Sequence, residues 1–317
     1  MKDFEMVNAI CEYGSFSRAA EELYISQSSL SMAIQRIEAE LGTPLFDRRK
    51  HPVHLTAAGE EYVRFYRQIK PIKNDMMQKI KDLSDLKTGT VTLGGTHYLL
   101  SYILPETIVR FTQLYPGIDL KIVEAPSGEF KDKLMNCEID FCLKCDATDP
   151  RLQTICHAFF DKLYLAVPRS MVKEKNLSEN WLTADEIRDG KDEDYRHYFK
   201  VEDIKKLTFL QLTPGNNLCR RSENIFDQLG AKPEKVIMFE QFVTAYNLAA
   251  NGLGCTLASS RVITRLAHPD LVYYSLPSPL MIRDFHFITR KEAYISNAIR
   301  AFCTLFAEIE NKKMKQE

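Results

Sequence analysis

The chain has 317 residues, 45% of them hydrophobic and 27% charged, and a formal net charge of −1. That length and balance fit two or three soluble globular domains of roughly 100–200 residues and exclude a disordered or fibrous chain. Near-neutral charge also excludes binding to nucleic acid through overall basicity, so any such contact must come from a local basic patch.

The opening residues MKDFEMVNAI carry acidic groups where a secretory leader needs an apolar run. Residues 88–105 and 241–260 lack charge over a membrane-like length. Gly, Thr, Asn and Gln interrupt both, so they read as buried soluble segments, and a cytoplasmic location is expected. The eight cysteines are scattered, which suits a reducing compartment. Cys137, Cys142 and Cys145 form a C-x4-C-x2-C run. If residues 138–143 are a strand, its pleat sends Cys142 and Cys145 to opposite faces. With no His/Cys cluster to complete a tetrahedral site, neither a metal nor another cofactor is expected.

The first ~60 residues are helix-dense. Phe4, Val7, Ile10 and Cys11 have helical spacing, and Gly14 supplies a stop. Ser17 is a candidate N-cap for a second helix holding Ala19, Ala20 and Leu23, and Ser26 for a third. In the third, Leu30, Ile34, Ile37 and Leu41 form one apolar stripe before Gly42 and Pro44. Residues 45–55 read as a short strand pair with a basic tip, Arg48-Arg49-Lys50-His51. Thr56 starts a long helix on which Tyr62, Tyr66, Ile69, Lys73, Met76, Ile80 and Leu83 alternate four and three apart, a coiled-coil seam with one charged position. Pro71 should kink that helix, which stops near Lys87-Thr88-Gly89.

From Val91 the pattern becomes β-α-β-α-β: strand 91–94, helix 98–114, strand 118–123, helix 129–136, strand 139–143. That order implies a parallel sheet covered by helices. Further strands are expected at 163–167, 208–211, 236–239 and 255–257, with helices around 218–229 and 243–251. An apolar strand, 285–288, and a helix, 295–309, close the chain.

Residues 15–41, SFSRAAEELYISQSSLSMAIQRIEAEL, are two capped helices joined by a tight turn. Opposite its apolar stripe, the second presents Ser28, Ser31, Met32 and Gln35, with Gln27 at the rim. Short polar side chains and an amide suit base edges in a major groove, and a helix N-terminus suits a phosphate. A solvated face would more often carry Lys and Glu. The basic hairpin tip that follows reads as a wing on phosphate or the minor groove, although such a run on its own is usually a solvated loop.

The stretch GSFSRAAEELYISQSSLSMAIQRIEAELGTPLFDRRKHPVHLTAAG resembles the N-terminal signature of LysR-type transcriptional regulators without a gap, over about the first 60 residues. The resemblance implies a winged helix-turn-helix, a dimerising linker helix and a two-lobed, periplasmic-binding-protein-like α/β effector domain. The boundaries it implies are 1–58 (helix-turn-helix about 17–37), 59–88, and 89–317, with lobe I at 89–162 and 266–317 and lobe II at 163–265. By matched position it marks Ser17 and Gln27 as DNA-contact candidates, Ser31 as part of the reading face and Arg48 as part of the wing. Together with the helix face and basic tip, the DNA-contact candidates are Ser17, Arg18, Gln27, Ser28, Ser31, Met32, Gln35, Arg48 and Arg49. Ser28 departs from the usual Pro and Met32 from a common Arg or other polar residue. The implied partners are double-stranded DNA, a small-molecule effector and further copies of the chain as a homodimer or homotetramer. The resemblance also admits RNA polymerase.

The remainder resembles the family's effector domain more loosely, in VTLGGTHYLLSYILPETIVRFTQLYPGIDLKIVEAPS, EIDFCL, LYLAVP, LTPGNNLCRRSENIFDQLGAKP and NLAANGLGCTLASS. Ligands of open α/β sheets sit beyond the carboxyl ends of strands. The polar groups expected there are Thr96, His97, Tyr98 and Ser127 in lobe I, and Thr213, Asn216, Asn217 and Gln241 in lobe II. Helix N-termini aimed into a cleft favour an anion, though Ser127, Asn216 and Asn217 also suit plain capping. Residues 176–200 form a longer connection than the family usually has, with Trp181 and a short helix at 183–188. No P-loop, G-x-G-x-x-G, H-E-x-x-H or G-x-S-x-G is present, so an enzyme is not expected. The alternative within the family is a cysteine-based redox sensor, with Cys219 near a helix N-terminus as the thiol of lowered pKa.

Overall fold

The computed structural model describes residues 2–49, 52–83, 89–146, 149–191 and 198–314. They divide into two units, Met1–Met77 and Gln78–Glu317.

The first unit begins with α1 (Lys2–Tyr13), α2 (Phe16–Glu22) and α3 (Gln27–Leu41). Gly14, at φ +61°, ends α1 where a side chain would meet Pro52 at 2.9 Å. The chain leaves that turn into Ser15, whose extended backbone (φ −153°) and hydroxyl cap α2 by accepting from the Arg18 N–H. The expected cap, Ser17, therefore lies too late, inside the helix. Ser26 does cap α3, accepting from Ser29 N–H at 3.1 Å, and Gly42 in the left-handed region ends it. Leu30, Ile34 and Ile37 are buried against Val7, Ile10, Ala19 and Ala20. Each buried valine, leucine or isoleucine side chain contributes about 1.5–3 kcal/mol. Leu41, expected to complete the stripe, is exposed. Leu45 and Phe46 occupy the core beyond the helix end instead. β1 (Phe46–Asp47) and β2 (His54–Leu55) pair antiparallel, and Lys50 and His51 between them lie outside the described residues.

Helix α4 (Ala57–Asp82) runs on through Pro71. Its expected stop near 87–89 falls partly outside the described residues. The seam also differs from the sequence expectation. Tyr62 and Tyr66 stack on Phe4 of α1, with ring centroids 4.5 and 5.7 Å away, and Lys73 pairs with Glu5 at 3.7 Å. The uncovered stripe is Phe65, Ile72, Met76, Ile80 and Leu83, with Ile69 half-buried between them. Its spacing remains four and three. Ile69, Met76, Ile80 and Leu83 keep their expected places, while Phe65 and Ile72 stand in for Tyr66 and Lys73, so it contains no charge.

The second unit is built on β3 (Gly89–Gly95), β4 (Ile118–Glu124), β5 (Phe141–Cys145), β6 (Leu152–Pro168) and β11 (Ile282–Arg290). β4, β3 and β5 are parallel, while β11 runs antiparallel to both β5 and β6. The expected helix 98–114 is two helices, α5 (His97–Tyr102) and α6 (Pro105–Leu114). Pro105 lacks the N–H that a continuous helix needs and starts the second one instead. α7 (Phe130–Met135) follows β4, and α13 (Asn297–Met314) closes the unit. Phe111, Phe141, Phe287, Phe302 and Phe306 form its aromatic centre.

β6 is far longer than the expected 163–167. Its second half carries β9 (Thr256–Ser259) and β10 (Leu271–Tyr274), the latter a strand not anticipated. β10 pairs antiparallel with β6 over 165–168 and so extends the same sheet as β11, β5, β3 and β4. β7 (Thr208–Leu212) and β8 (Lys235–Phe239) are parallel, and a bridge from Phe209 to Cys255 joins them to β9. Around these strands lie α8 (Arg169–Glu174), α9 (Ala184–Arg188), α10 (Asn217–Leu229), α11 (Phe242–Ala250) and α12 (Ser260–Arg265). The long connection contributes to the core. Leu182 and Phe199 bond the backbone of Tyr273 and Ser275, closing the β10 edge, and Leu182, Ile187 and Phe199 are buried. Thr183 and Glu186 form a capping box for α9, while residues 192–197 lie outside the described part.

Candidate functional site

Two regions gather the residues singled out from the sequence. On α3, Gln27, Ser28 and Gln35 are exposed, Ser31 is half-buried, and Met32 is 63% exposed. Gln27 Nε2 donates to Ser31 Oγ at 3.2 Å, and Ser28 Oγ bonds the Ser26 hydroxyl at 3.0 Å. Ser17 and Arg18 are exposed on α2. In the turn between α2 and α3 stands Tyr24, at φ +54° and 96% exposed, which the sequence reading passed over.

The hairpin cations are held by acids. Arg48 donates to Glu38 at 3.0 Å and lies over the Phe16 ring, while Arg49 pairs with Asp47 at 3.1 Å and projects into solvent. Glu38, on α3, also accepts from the backbone N–H of Leu45 at 2.8 Å. One carboxylate thus ties helix to hairpin. Its position in the E-x-x-L-G run was visible in the sequence, but its partners were not.

The second region is a cavity of about 400 Å³ between the lobes of the second unit. Thr96, His97, Tyr98, Ser127, Thr213, Asn216, Asn217 and Gln241 all line it. Each follows the end of a strand or opens a helix, where the sheet leaves its carboxyl edge open. Ser127 Oγ accepts from the Asn217 N–H at 3.0 Å, so this α10 donor is already satisfied. His97 Nδ1 lies 3.5 Å from Glu124.

Several lining residues were missed: Glu124, Lys144, Cys145, Glu240, Ser259 and Arg283. Arg283 stands opposite Asp161 on the crossover strands and donates to its Oδ2 through Nε at 2.8 Å. Asp161 has no solvent exposure and also accepts from Ser259 and Ser260. Tyr98 hydrogen-bonds Ser259 at 2.9 Å beneath the Arg283 guanidinium, and burial, then the Asp161 charge, pushes its phenol up. Charge inside an otherwise apolar strand, Lys144 in FCLKC and Arg283 in MIRDFHFI, was the available signal for those two.

Cys142, Cys145 and Cys219 are held protonated, whereas a hydrogen bond to Cys303 lowers the half-buried Cys156 thiol. Burial raises Cys142 to about 12 and Cys145 to about 11, and the two pack in different clusters. Cys219, expected to be acidified, is instead raised, first by burial, with the Glu223 charge adding to it. The thiol is almost fully enclosed, which outweighs the nearby helix N-terminus. Among the described residues no helix is long and apolar enough to cross a membrane.

A family model described as bacterial regulatory helix-turn-helix protein, lysR family, matches residues 1–60, and one for the LysR substrate binding domain matches 84–180 and 193–309. The unmatched 181–192 fall within the long connection. The chain belongs to the LysR family: it is a DNA-binding transcriptional regulator with an effector-binding domain, in a family of regulators rather than enzymes. It is 27% identical over 309 residues to the uncharacterized HTH-type transcriptional regulator YcgK of Bacillus subtilis (strain 168), covering 97% of this chain and 94% of that one. Its fold is similar to that of a full-length OxyR variant from Pseudomonas aeruginosa (TM-score 0.64, 17% identity, covering 96% and 93% of the two chains). It is also similar to full-length CbnR complexed with its target DNA (TM-score 0.58, 20% identity, covering 97% and 98%).

Proposed function

We propose that this regulator reads DNA with the exposed face of α3 and senses a small molecule bearing an anionic group in the cleft between its lobes. Gln27, Ser28, Ser31, Met32 and Gln35 meet base edges. Ser17, Arg18, Arg48 and Arg49 meet phosphate, and two copies of the chain pair through α4 in the cytoplasm, singly or as a pair of dimers. RNA polymerase is the natural further partner of a bound activator. The observation that carries the sensing half is the cavity itself: all eight polar residues chosen from strand ends line one space of about 400 Å³, within the usual size of small-molecule sites.

Selection of DNA from a random pool by the full-length chain, followed by the same selection with Gln35→Ala and Ser28→Ala, tests the reading face. A shared consensus with altered preference at one or two positions in each variant is expected. Identical preferences in all three proteins would remove α3 from base readout.

A further inference from the structure

The cleft's charges do not balance. Arg283 is already committed: its guanidinium is bonded to Asp161, which is fully enclosed and further satisfied by Ser259 and Ser260. Such a buried, hydrogen-bonded pair offers a ligand little net charge. The remaining charged residues around the space are Lys144 on β5, Glu124 at the end of β4, Glu240 after β8, and His97, which faces Glu124. Lys144 and Glu240 have no ion-pair partner among the described residues. Lys144 belongs to the first lobe and Glu240 to the second.

A ligand with only a carboxylate would satisfy Lys144 and bring its charge near two acids in a confined, partly dehydrated space, where like charges repel more strongly than in water. One with only an ammonium would leave Lys144 uncompensated. A molecule with both groups answers both lobes and gives them a reason to close on it. Leu99, Leu143, Leu212, Phe242 and Phe285 add apolar wall to the same space.

We infer that the effector is one of the standard α-amino acids, its carboxylate toward Lys144 and its ammonium toward Glu240 and Glu124. This rests on the reading of the cleft as the effector site and adds an ammonium to the anionic group proposed there. The test is thermal unfolding of the full chain with each of the twenty standard amino acids, glycine and nineteen L-forms, at millimolar concentration. Each is compared with its des-amino acid and its decarboxylated amine. At least one amino acid should raise the midpoint through mass action, and both truncated analogues should lose most of the effect. Lys144→Met and Glu240→Gln should each weaken that amino acid by about tenfold or more, a loss of ~1.4 kcal/mol in binding.

Thr213→Trp, at a half-buried lining position, fills the cleft and separates the two levels of the reading. A des-amino acid that binds as well as its parent, and is lost in Thr213→Trp, overturns the zwitterion while leaving the cleft as the site. An amino-acid shift that survives in a folded Thr213→Trp protein moves the ligand out of the cleft and overturns both. An unmoved midpoint with all twenty amino acids overturns the inference outright.

Discussion

Ser127 of the first lobe accepts a hydrogen bond from the backbone N–H of Asn217 in the second, at 3.0 Å. That N–H is among the α10 donors that have no partner within the helix. Beside it the Gly128 N–H donates to the Gly215 carbonyl at 3.3 Å, and a Cβ on Gly128 would stand 3.3 Å from the same oxygen. Gly215 holds φ +97°, which other residues rarely adopt, so the two lobes meet at a glycine the backbone needs and beside a second one with little room for a side chain. Arg221 of α10 reinforces the junction through Asp146, at the end of β5.

Ser127→Ala should therefore cost about 1 kcal/mol of stability, the penalty for one orphaned donor. It should also weaken whatever occupies the cleft, because the lobes part more freely. Urea unfolding with and without ligand measures both. An unchanged midpoint and affinity would mean that the junction holds nothing together.

The two hairpin arginines should behave differently. Arg49→Ala removes a solvent-projecting cation and should flatten the salt dependence of DNA binding by about 0.9 in slope if that cation meets one phosphate, equally on specific and random DNA. Arg48→Ala also releases Glu38, whose other oxygen bonds Leu45, and should disturb the helix-to-hairpin tie. Glu38→Gln should reproduce the structural part of that loss without changing the number of cations. Equal slopes for wild type and Arg49→Ala would take the tip away from the backbone of DNA.

Assembly should depend on the α4 stripe as the structure draws it. Ile72 is 68% exposed, and Ile72→Asp would place a charge in the middle of an apolar seam. Sedimentation should shift from dimer or tetramer toward monomer. Lys73→Met, at the position the simpler heptad reading would choose, should leave assembly intact because Lys73 faces Glu5. The reverse pattern would restore the seam through Tyr62 and Lys73.

Cysteine chemistry separates the effector reading from the redox one. Raised folded pKa values keep a thiol protonated over a wider pH range, so reactive thiolate at Cys145 should appear only as pH approaches about 11, and at Cys142 only near 12. Cys219 is shifted in the same direction. Alkylation of the native protein near neutral pH, read by mass spectrometry, should spare all three and label them once the chain is unfolded. Rapid native labelling of Cys219 would reopen peroxide-type sensing.

The helix-turn-helix was legible because its signals are local: serine caps, a glycine stop and an apolar stripe, all close together in the chain. The strand-end polar groups were legible for the same reason, since β-α order dictates where a sheet opens. What escaped depends on distant partners. β6 continues back to Leu152 through His157 and Asp161 because β11 pairs along it, and the Asp161–Arg283 pair joins residues 122 apart in sequence. The first turns of the α4 seam were misplaced because Tyr62 and Tyr66 present aromatic rings at seam spacing just as Phe65 does, and only their stacking on Phe4 removes them from the outer face.

Met32 gives the sharpest test of the reading face. It stands on α3 away from Leu30, Ile34 and Ile37, and nearly two thirds of it is open to solvent. Full burial of such a side chain is worth about 1.5–3 kcal/mol relative to exposure, so the free protein leaves that gain unused. The thymine C5-methyl, displayed in the major groove, is an apolar partner of suitable size. If Met32 packs on one, replacing that thymine by uracil should weaken wild-type binding by up to about tenfold, in the range of a single base contact. The same replacement should cost Met32→Ala much less, because the methyl then has nothing to meet. The comparison is internal to each protein, so a general loss of affinity in the variant does not obscure it. Equal losses at every thymine in both proteins would leave Met32 outside base recognition and return the discrimination to Gln27, Ser28 and Gln35.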